Sequence, residues 1–221
     1  MAKGVFQGEL CDQIAELALK YADHKPLNED GVPEPRKVKA AYPCAAAFRR
    51  FVHDDRLVSL VRRLLGGREP MLMKDQIFMK APRNGSPKPY HQDNAYFKCE
   101  PNDQIVTAWI ALDDVDETNG CLHYIDGSHK NGLLNHAPLD GQTYNKTPNA
   151  NQIDQRRQSS ACVGKGGVVF HHSQTLHMSG RNESDGWRRG FATHWVTDQV
   201  HGDSAIFKCA YFHEPDYPRL Y

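Results

Sequence analysis

The sequence lacks several features that mark large classes of protein. It has no run approaching the roughly 20 apolar residues that a membrane-spanning helix needs. Its first residues, MAKGVFQGELCDQ, contain no apolar core of a secretory signal. The 27 basic and 27 acidic residues cancel, so no net field gathers nucleic acid or anionic lipid. We therefore expect a cytoplasmic protein without membrane or nucleic-acid partners.

Paired cysteine motifs are also missing. None of the six cysteines forms a CxxC pair, which argues against a zinc knuckle or a thioredoxin-type motif. A chain of 221 residues without an export signal is not expected to be a disulfide framework. We predict that all six are reduced, mostly buried thiols. Histidine is abundant instead, at 12 residues, and some of these side chains are candidate metal ligands.

The N-terminal third, residues 1–69, is predicted to be a helical flank. Apolar residues recur three or four positions apart over residues 6–21, which indicates an amphipathic helix. A second helix is predicted over residues 55–65, where Asp54 or Asp55 can cap the start and a Gly-Gly pair follows the end.

After residue 70 the hydrophobic period changes from helical spacing to two, which is typical of strands. The predicted strands are 71–80, 104–112, 121–125, 167–172 and 188–197. Short strands joined by polar connections favour an antiparallel sandwich or barrel over a βαβ fold. With 39% hydrophobic residues, the whole chain 1–221 is expected to form one domain, with its β core at 70–200.

Two polar segments are predicted to be connections. Residues 28–35 form a turn-rich link. Residues 135–160 are polar and show no periodicity, and a loop of this length in a compact domain is often a lid over a binding site. A disordered insertion is the alternative for this second segment.

Three His-x-Asp motifs occur in the chain, whereas its composition predicts about one by chance. The motif at His53 lies at a helix start, where Asp55 acts as a cap, and the motif at His201 follows the last strand. Only His91 and Asp93 have strands on both sides and a histidine-bearing sheet downstream. Because residues i and i+2 of a strand share a face, such a pair can join a histidine from another strand to form a facial site for non-haem Fe(II).

The surrounding sequence resembles the phytanoyl-CoA dioxygenase family of Fe(II)- and 2-oxoglutarate-dependent oxygenases. The resemblance is carried by YHQDNAYF (90–97), by TAWIALDDVDETNGCLHYIDGSHKNGLL (107–134) and by GKGGVVFHHSQTLHMSGRNESDGWRRGF (164–191). It implies a mainly β fold, a cupin-like double-stranded β-helix or jelly roll, with the N-terminal helices packed outside. Family members usually begin with a longer segment that includes a strand, and no strand is recognisable before residue 70.

The resemblance implies roles for individual side chains. His91, Asp93 and His177 are expected to bind Fe(II). Arg188, eleven residues after His177, is expected to hold the distal carboxylate of 2-oxoglutarate because its planar fork suits a carboxylate; Arg189 is the alternative. Ser179 is expected to bind the same carboxylate.

Further positions are expected to line the site. Thr107 and Trp109 share one strand face and are predicted to contact the cosubstrate; Asn94, Tyr96 and Lys80 are predicted to contact substrate. Trp109 and Tyr96 could equally be core aromatics. The basic residues before the motif (Lys74, Lys80, Arg83, Lys88) could attract an anionic substrate or form a solvated face. His172 is the neighbouring histidine expected to orient a ligand.

The implied activity is hydroxylation of an unactivated C–H bond in a small organic metabolite, with O2 consumed and succinate and CO2 released. A carboxylate at Asp93 favours hydroxylation over halogenation, because related halogenases carry a small residue there to admit chloride. Two alternatives remain: a non-catalytic jelly-roll binding protein, and a cupin-type metalloenzyme that does not use 2-oxoglutarate and has no need for Arg188. The oligomeric state is left open.

Overall fold

The architecture comes from a computed structural model of the chain, which describes residues 1–25, 34–139 and 142–217. The predicted turn-rich link at 28–35 lies largely outside the described residues. Two antiparallel sheets face each other, as the resemblance to a jelly roll implies.

The larger sheet has six antiparallel strands. In spatial order they are β1 (Asp23–Lys25), β2 (Glu34–Val38), β3 (Met71–Lys80), β13 (Arg188–Val196), β6 (Ile105–Ala111) and β11 (Val168–His172). The long central pair, β3 and β13, keeps a continuous register from Arg188 opposite Lys80 to Val196 opposite Met71, with one irregularity.

The smaller sheet has four antiparallel strands. In spatial order they are β10 (Gln158–Ala161), β7 (Leu122–Ile125), β12 (His177–Ser179) and β4 (Lys88–His91). Two further strand pairs are β5 (Cys99–Glu100) with β14 (His201–Gly202), and β8 (His136–Leu139) with β9 (Gln142–Pro148).

The helices of the N-terminal flank cover the outer face of the six-stranded sheet. They are α1 (Gly8–Tyr21), α2 (Ala46–Val52) and α3 (Asp55–Leu64); two one-turn helices, α4 (Asn94–Phe97) and α5 (Ala205–Lys208), follow. Phe51 of α2 stacks on Phe191 of β13 with ring centroids 5.8 Å apart, and Trp195 is buried in the same cluster. Burial of these large rings drives the helices onto the sheet.

Strand alternation separates this outer core from the inside of the jelly roll. On β13, Phe191 and Trp195 pack with the helices, whereas Ala192 belongs to a second cluster with Trp109 and side chains of the smaller sheet. Because successive side chains point to opposite faces, the even positions of β13, from Arg188 to His194, point between the sheets. A polar site can therefore form inside a fold whose outside is tightly packed.

The strands predicted from periodicity are present, with bounds shifted by at most one residue. Asp54 is the cap of α3, where its side chain accepts a hydrogen bond from the Arg56 amide. Helix α2 was not anticipated. The expectation of no strand before residue 70 was wrong, since β2 pairs with β3 in the larger sheet.

The predicted structureless loop at 135–160 is also corrected. Its first part is the hairpin β8–β9 and its last part contains β10 of the smaller sheet. The segment is polar on most positions because a hairpin lying on the outside of the fold exposes much of its surface. A polar composition therefore did not mean an absence of strands.

All six cysteines are free, but three of them, Cys44, Cys162 and Cys209, are exposed, so the expectation of mostly buried thiols holds for only half.

Among the described helices, none combines the length and apolar character that crossing a membrane requires.

Candidate metal centre

Three side chains from two strands and a turn converge between the sheets. His91 ends β4, His177 begins β12, and the two residues are paired across these neighbouring strands with ring centroids 4.2 Å apart. Asp93 follows in the turn before α4. Its Oδ1 lies 3.8 Å from His91 Nε2 and 3.7 Å from His177 Nε2. Within the described ranges this is the only group of three such side chains whose ligand atoms lie close enough to share an ion.

Both imidazoles are held in one orientation. Nδ1 of His91 donates to the Pro89 carbonyl and Nδ1 of His177 donates to the Thr175 carbonyl, each at 2.9 Å. Each bond leaves Nε2 without a proton and facing Asp93. Backbone acceptors on the far nitrogen are the usual way in which proteins fix the tautomer of a metal-binding histidine.

The ionisation states also suit a cation. Burial, followed by the neighbouring His177, lowers the pKa of His91 well below its usual range. Burial and His171 lower the pKa of His177 to about 4. Burial alone would raise the pKa of Asp93, but His177 and the hydrogen bond from His171 hold it well below the usual range. Near neutral pH the site therefore presents two neutral imidazoles and one carboxylate, the forms that bind metal.

The two oxygens of Asp93 have different partners. Oδ2 accepts a hydrogen bond from Thr107 Oγ1 at 2.7 Å and another from His171 Nε2 at 3.0 Å. Oδ1 faces the histidine pair. Because Oδ2 is already occupied, the carboxylate offers one oxygen to an ion, and its plane is fixed by β6 and β11 of the opposite sheet.

The partners of Asp93 are themselves fixed. Tyr124 donates its hydroxyl proton to His171 Nδ1 at 2.9 Å, so His171 carries its proton on Nε2 and donates it to Asp93. The Thr107 hydroxyl donates a hydrogen bond to Asp93 and accepts one from His194 Nδ1 at 2.9 Å. Two hydrogen-bond chains therefore end on the same carboxylate oxygen.

This arrangement corrects one expectation about the neighbouring histidines. His172, predicted to orient a ligand, is half-buried and accepts from the Gln174 amide instead. His171 has the orienting role, because its register opposite Thr107 places it on the inner face of β11. His194 and Tyr124 were not anticipated. Counting even positions from Arg188 along β13 would have found His194.

The alternation of side chains along β13 places Arg188 and Arg189 on opposite faces of the sheet. Arg189 points outward and forms a two-pronged ion pair with Asp113, with nitrogen–oxygen distances of 2.9 and 2.5 Å. Arg188 is 2% exposed and lies 5.6 Å from the Trp109 ring. Its buried Nε has no hydrogen-bond partner among the residues that the structure describes. Burial lowers the pKa of Arg188 to about 10, so the guanidinium stays charged.

Lys80 lies directly opposite Arg188 in the β3–β13 register. Its amine donates to the carbonyls of Ser179 and Gly180. Burial and then the charge of Arg188 lower the pKa of Lys80 to about 6. Lys80 was predicted to contact substrate, but its side chain lies beside the guanidinium of Arg188. Within the described part of the chain neither of these buried basic groups has an acidic partner, and such a pair marks a place for an anion.

The remaining inner positions define the shape of this space. Ser179 is buried on the same face of β12 as His177. Trp109 passes so close to Gly190 that a Cβ there would lie 1.9 Å from the indole ring. Glycine at that position is what allows the indole to lie flat beside Arg188. Thr107 was predicted to contact the cosubstrate, and its hydroxyl bonds Asp93 instead.

Asn94 and Tyr96, both predicted to contact substrate, make different contacts. Asn94 is 1% exposed and exchanges both amide hydrogen bonds with the backbone of Cys99, so it closes the turn after the metal motif and is not available to a substrate. Tyr96 is half-buried, with its ring 5.9 Å from the His91 ring. Its hydroxyl accepts from the Lys146 amide of β9, which ties the hairpin to the site. Lys88 lies over the same ring.

A surface cavity of about 380 Å³ opens beside this network. Tyr124 and His171 line it, together with Ser159 and Ser160 of the edge strand β10. The hydrogen-bonded pair that supports Asp93 is therefore reachable from the surface between the edge strands of the two sheets.

The fold and this buried group define the protein's class: a jelly roll that carries a two-histidine, one-carboxylate site inside. The sequence model of the phytanoyl-CoA dioxygenase (PhyH) family matches residues 3–190. The chain belongs to the phytanoyl-CoA dioxygenase family, which confirms the resemblance seen in the sequence.

Curated relatives agree with this membership. The human peroxisomal phytanoyl-CoA dioxygenase is 33% identical over 137 residues, which is 59% of this chain and 40% of that protein. The Arabidopsis thaliana phytanoyl-CoA dioxygenase is 28% identical over 193 residues, which is 83% of this chain and 67% of that protein. The chain thus spans about two fifths of the length of the bovine and human phytanoyl-CoA dioxygenases.

Solved structures confirm the jelly-roll fold. The epimerase SnoN, in complex with Fe3+, alpha ketoglutarate and nogalamycin RO, gives a TM-score of 0.74 at 22% identity, covering 99% of this chain and 87% of that one. EvdO2 from Micromonospora carbonacea var. aurantiaca gives 0.73 at 20% identity, covering 91% and 86%.

Removing the hydrogen bonds to Asp93 Oδ2 is expected to weaken metal binding. We predict that Thr107→Val and His171→Phe each raise the dissociation constant for Co(II) by about 10- to 100-fold, because a carboxylate that has lost its orienting donors binds a metal less well. Isothermal titration calorimetry measures the constant, and thermal unfolding verifies that each variant is folded.

The matched control is His172→Phe, the same change one residue further along β11 and on the opposite face. It should leave Co(II) affinity unchanged. Equal affinities for wild type, Thr107→Val and His171→Phe would show that these donors do not position the carboxylate.

Proposed function

We propose that the protein is a non-haem Fe(II)- and 2-oxoglutarate-dependent dioxygenase that hydroxylates an unactivated C–H bond of a small organic metabolite, releasing succinate and CO2. The observation that carries this proposal is that two buried features lie between the same two sheets: three metal-binding side chains, and a guanidinium whose Nε has no hydrogen-bond partner among the described residues.

The donor set fits iron. Two imidazole nitrogens and one carboxylate oxygen leave one side of an ion open, which is the arrangement of non-haem Fe(II) oxygenases. His91, Asp93 and His177 would hold the ion. When bound, Fe(II) supplies the activation of O2 and the oxidative decarboxylation of 2-oxoglutarate. The chain itself keeps the imidazoles neutral and the carboxylate ionised. It also leaves only one oxygen of Asp93 available to the ion.

The cosubstrate would be held by its distal carboxylate. Arg188 supplies a planar set of donors, one of which has no partner, and such donors suit a carboxylate. Lys80 is placed beside it, and Ser179 is on the facing strand. The low dielectric of the interior strengthens the attraction between these charges and an anion. The indole of Trp109 forms one wall and excludes water.

The hairpin β8–β9 is placed to cover substrate. Tyr96 connects it to the turn that carries Asp93, through the bond from the Lys146 amide. Lys88 is tied to the hairpin by a 2.5 Å bond to Asn145, and burial with the charge of Lys37 lowers the pKa of Lys88 to about 8. Lys88 is thus part of the site entrance and not of a solvated face. We assign the lid role predicted for residues 135–160 to this hairpin.

The side chain at position 93 favours hydroxylation over halogenation, since a carboxylate fills the position that related halogenases leave open for chloride. The buried Arg188 favours an enzyme that uses 2-oxoglutarate over a cupin-type metalloenzyme, which has no need of that residue. A vestigial binding protein is disfavoured by the intact ligand set. A cytoplasmic location and the absence of membrane and nucleic-acid partners stay predictions.

Turnover of 2-oxoglutarate tests the proposal. With Fe(II), ascorbate and O2, the wild-type chain should release succinate slowly even without substrate, and anaerobic addition of Fe(II) and 2-oxoglutarate should give a visible charge-transfer band. Asp93→Ala should lose both signals, because the ion loses its only anionic ligand. Succinate release at the wild-type rate by Asp93→Ala would contradict the proposal.

The two neighbouring arginines provide a matched pair of variants. Arg188→Met is expected to raise the dissociation constant for 2-oxoglutarate by about 10- to 100-fold, the effect of losing hydrogen bonds to a charged group. Arg189→Met breaks an ion pair on the outside and should leave the constant unchanged. The measurement is calorimetric titration of the Mn(II)-loaded protein without O2. The reverse ranking of the two variants would assign the anchor to Arg189.

The lowered pKa of Lys80 predicts that binding of 2-oxoglutarate is coupled to the uptake of a proton. Near neutral pH the free amine, with a pKa of about 6, is largely neutral. A carboxylate beside it favours the charged form and raises the pKa. Binding of 2-oxoglutarate should therefore take up a proton, seen as a dependence of the binding enthalpy on the ionisation enthalpy of the buffer. Lys80→Met should abolish this dependence. A wild-type enthalpy independent of buffer would place the carboxylate away from Lys80.

A further inference from the structure

Two cysteines adjoin the last residue pair of the β7–β10 ladder. The antiparallel register ends with Ala161 opposite Leu122, and Cys162 and Cys121 are the next residue on each chain segment. Directly opposite residues in antiparallel strands have Cα atoms about 4.5–5.5 Å apart, inside the range that a disulfide accepts, so residues immediately beyond the last pair lie near that range. The two thiols are also within hydrogen-bonding reach of each other, and both are free.

The two thiols have different surroundings. Cys162 is exposed, whereas Cys121 is fully buried. Burial, followed by the neighbouring Cys162, raises the pKa of Cys121 to about 12, so this thiol needs a base before it can react. His123 Nε2 lies 3.6 Å from Cys121 Sγ, and His123 Nδ1 lies 3.2 Å from Ser160 Oγ. An exposed thiol and a partly exposed imidazole thus flank a buried thiol.

The pair is located beside the proposed cosubstrate anchor. Cys121 packs in one cluster with Trp109, the residue whose ring lies against Arg188. Cys121 is also close enough to Arg188 for the two groups to interact electrostatically. In addition, the segment between the two cysteines, residues 122–161, contains the whole β8–β9 hairpin. A bond between the cysteines would close this segment into a loop.

We propose that Cys162 and Cys121 form a reversible disulfide when the protein meets a peroxide, with Cys162 as the thiol that is oxidised first and Cys121 as the thiol that resolves it. This inference does not depend on the proposed enzymatic function. The other exposed cysteines, Cys44 and Cys209, serve as internal controls.

The chemistry balances in two steps. The Cys162 thiol loses its proton, the thiolate attacks one oxygen of hydrogen peroxide, and the O–O bond breaks to give a sulfenic acid and hydroxide. The hydroxide takes up the proton that the thiol released and becomes water. His123 then accepts the proton of Cys121, and the resulting thiolate attacks the sulfenic sulfur. The S–S bond forms as the S–O bond breaks, and the departing hydroxide takes the proton from His123. Two thiols lose two electrons and two protons, and one peroxide is reduced to two waters.

Non-reducing peptide mapping of the full chain tests the proposal. After reduction, desalting and a brief exposure to a small excess of hydrogen peroxide, free thiols are alkylated and the digest is analysed by mass spectrometry. A linked peptide pair containing Cys121 and Cys162 should be the main oxidised product and should disappear with dithiothreitol. Cys44 and Cys209 should be recovered mainly in alkylated form.

Variants separate the roles. Cys162→Ser should abolish the linked pair and leave Cys121 reduced, whereas Cys44→Ser should leave the linked pair unchanged. His123→Gln should slow the second step about tenfold or more, so that a sulfenic acid on Cys162 becomes trappable with dimedone.

Two outcomes would overturn the proposal. One is wild-type protein in which Cys162 advances to sulfinic acid while Cys121 stays reduced. The other is a map in which Cys162 pairs no more with Cys121 than with Cys44 or Cys209. Both are read on the wild-type chain, so neither depends on a variant that fails to fold. Because mass is measured, and not turnover, the result is also separate from the fate of the proposed dioxygenase activity.

Discussion

The arrangement of the site depends on how one buried carboxylate is satisfied. Asp93 cannot remain ionised between two sheets without partners, because an unpaired buried charge is strongly destabilising. The larger sheet provides donors for Oδ2 through Thr107 and His171, and the smaller sheet provides the histidine pair that faces Oδ1. The same contacts that make the charge tolerable in the interior leave a single oxygen for an ion. The carboxylate also joins the two sheets at the point where chemistry is expected.

The opposite problem exists a few positions away on β13 and β3. Arg188 and Lys80 place two basic groups side by side in the interior. Proteins relieve such a cost by lowering the pKa of one group or by binding an anion, and here Lys80 gives way while the guanidinium stays charged. A carboxylate of the proposed cosubstrate, bound beside Arg188 and Lys80, would supply the missing opposite charge.

Much of the fold and of the candidate site could be predicted from the sequence. The elements and residues that were not predicted have physical reasons for being hard to recognise. Long strands such as β3 and β13 carry enough alternation to be recognised. His91 and Asp93 stand out by their spacing, whereas His177 and Arg188 were identified through the resemblance to the family. Strands β4 and β12, with four and three residues, are too short to show a period, and the hairpin β8–β9 is exposed and therefore polar. The choice between His171 and His172 depends on which face of β11 is inward, and a one-residue difference in phase reverses it. Asn94 sits beside the ligands in sequence, yet its amide is used by the turn that holds them.

In the proposed site three side chains bind one iron while Asp93 keeps its second oxygen on the protein. Anaerobic crystals loaded with Fe(II) and 2-oxoglutarate can be measured by anomalous diffraction at the iron edge. We expect a single strong peak within bonding distance of His91 Nε2, Asp93 Oδ1 and His177 Nε2. Asp93 Oδ2 should still be bonded to Thr107 and His171, and the distal carboxylate of the cosubstrate should lie at Arg188. A peak at another histidine cluster, or an Asp93 that binds the ion through both oxygens after leaving Thr107, would contradict this expectation.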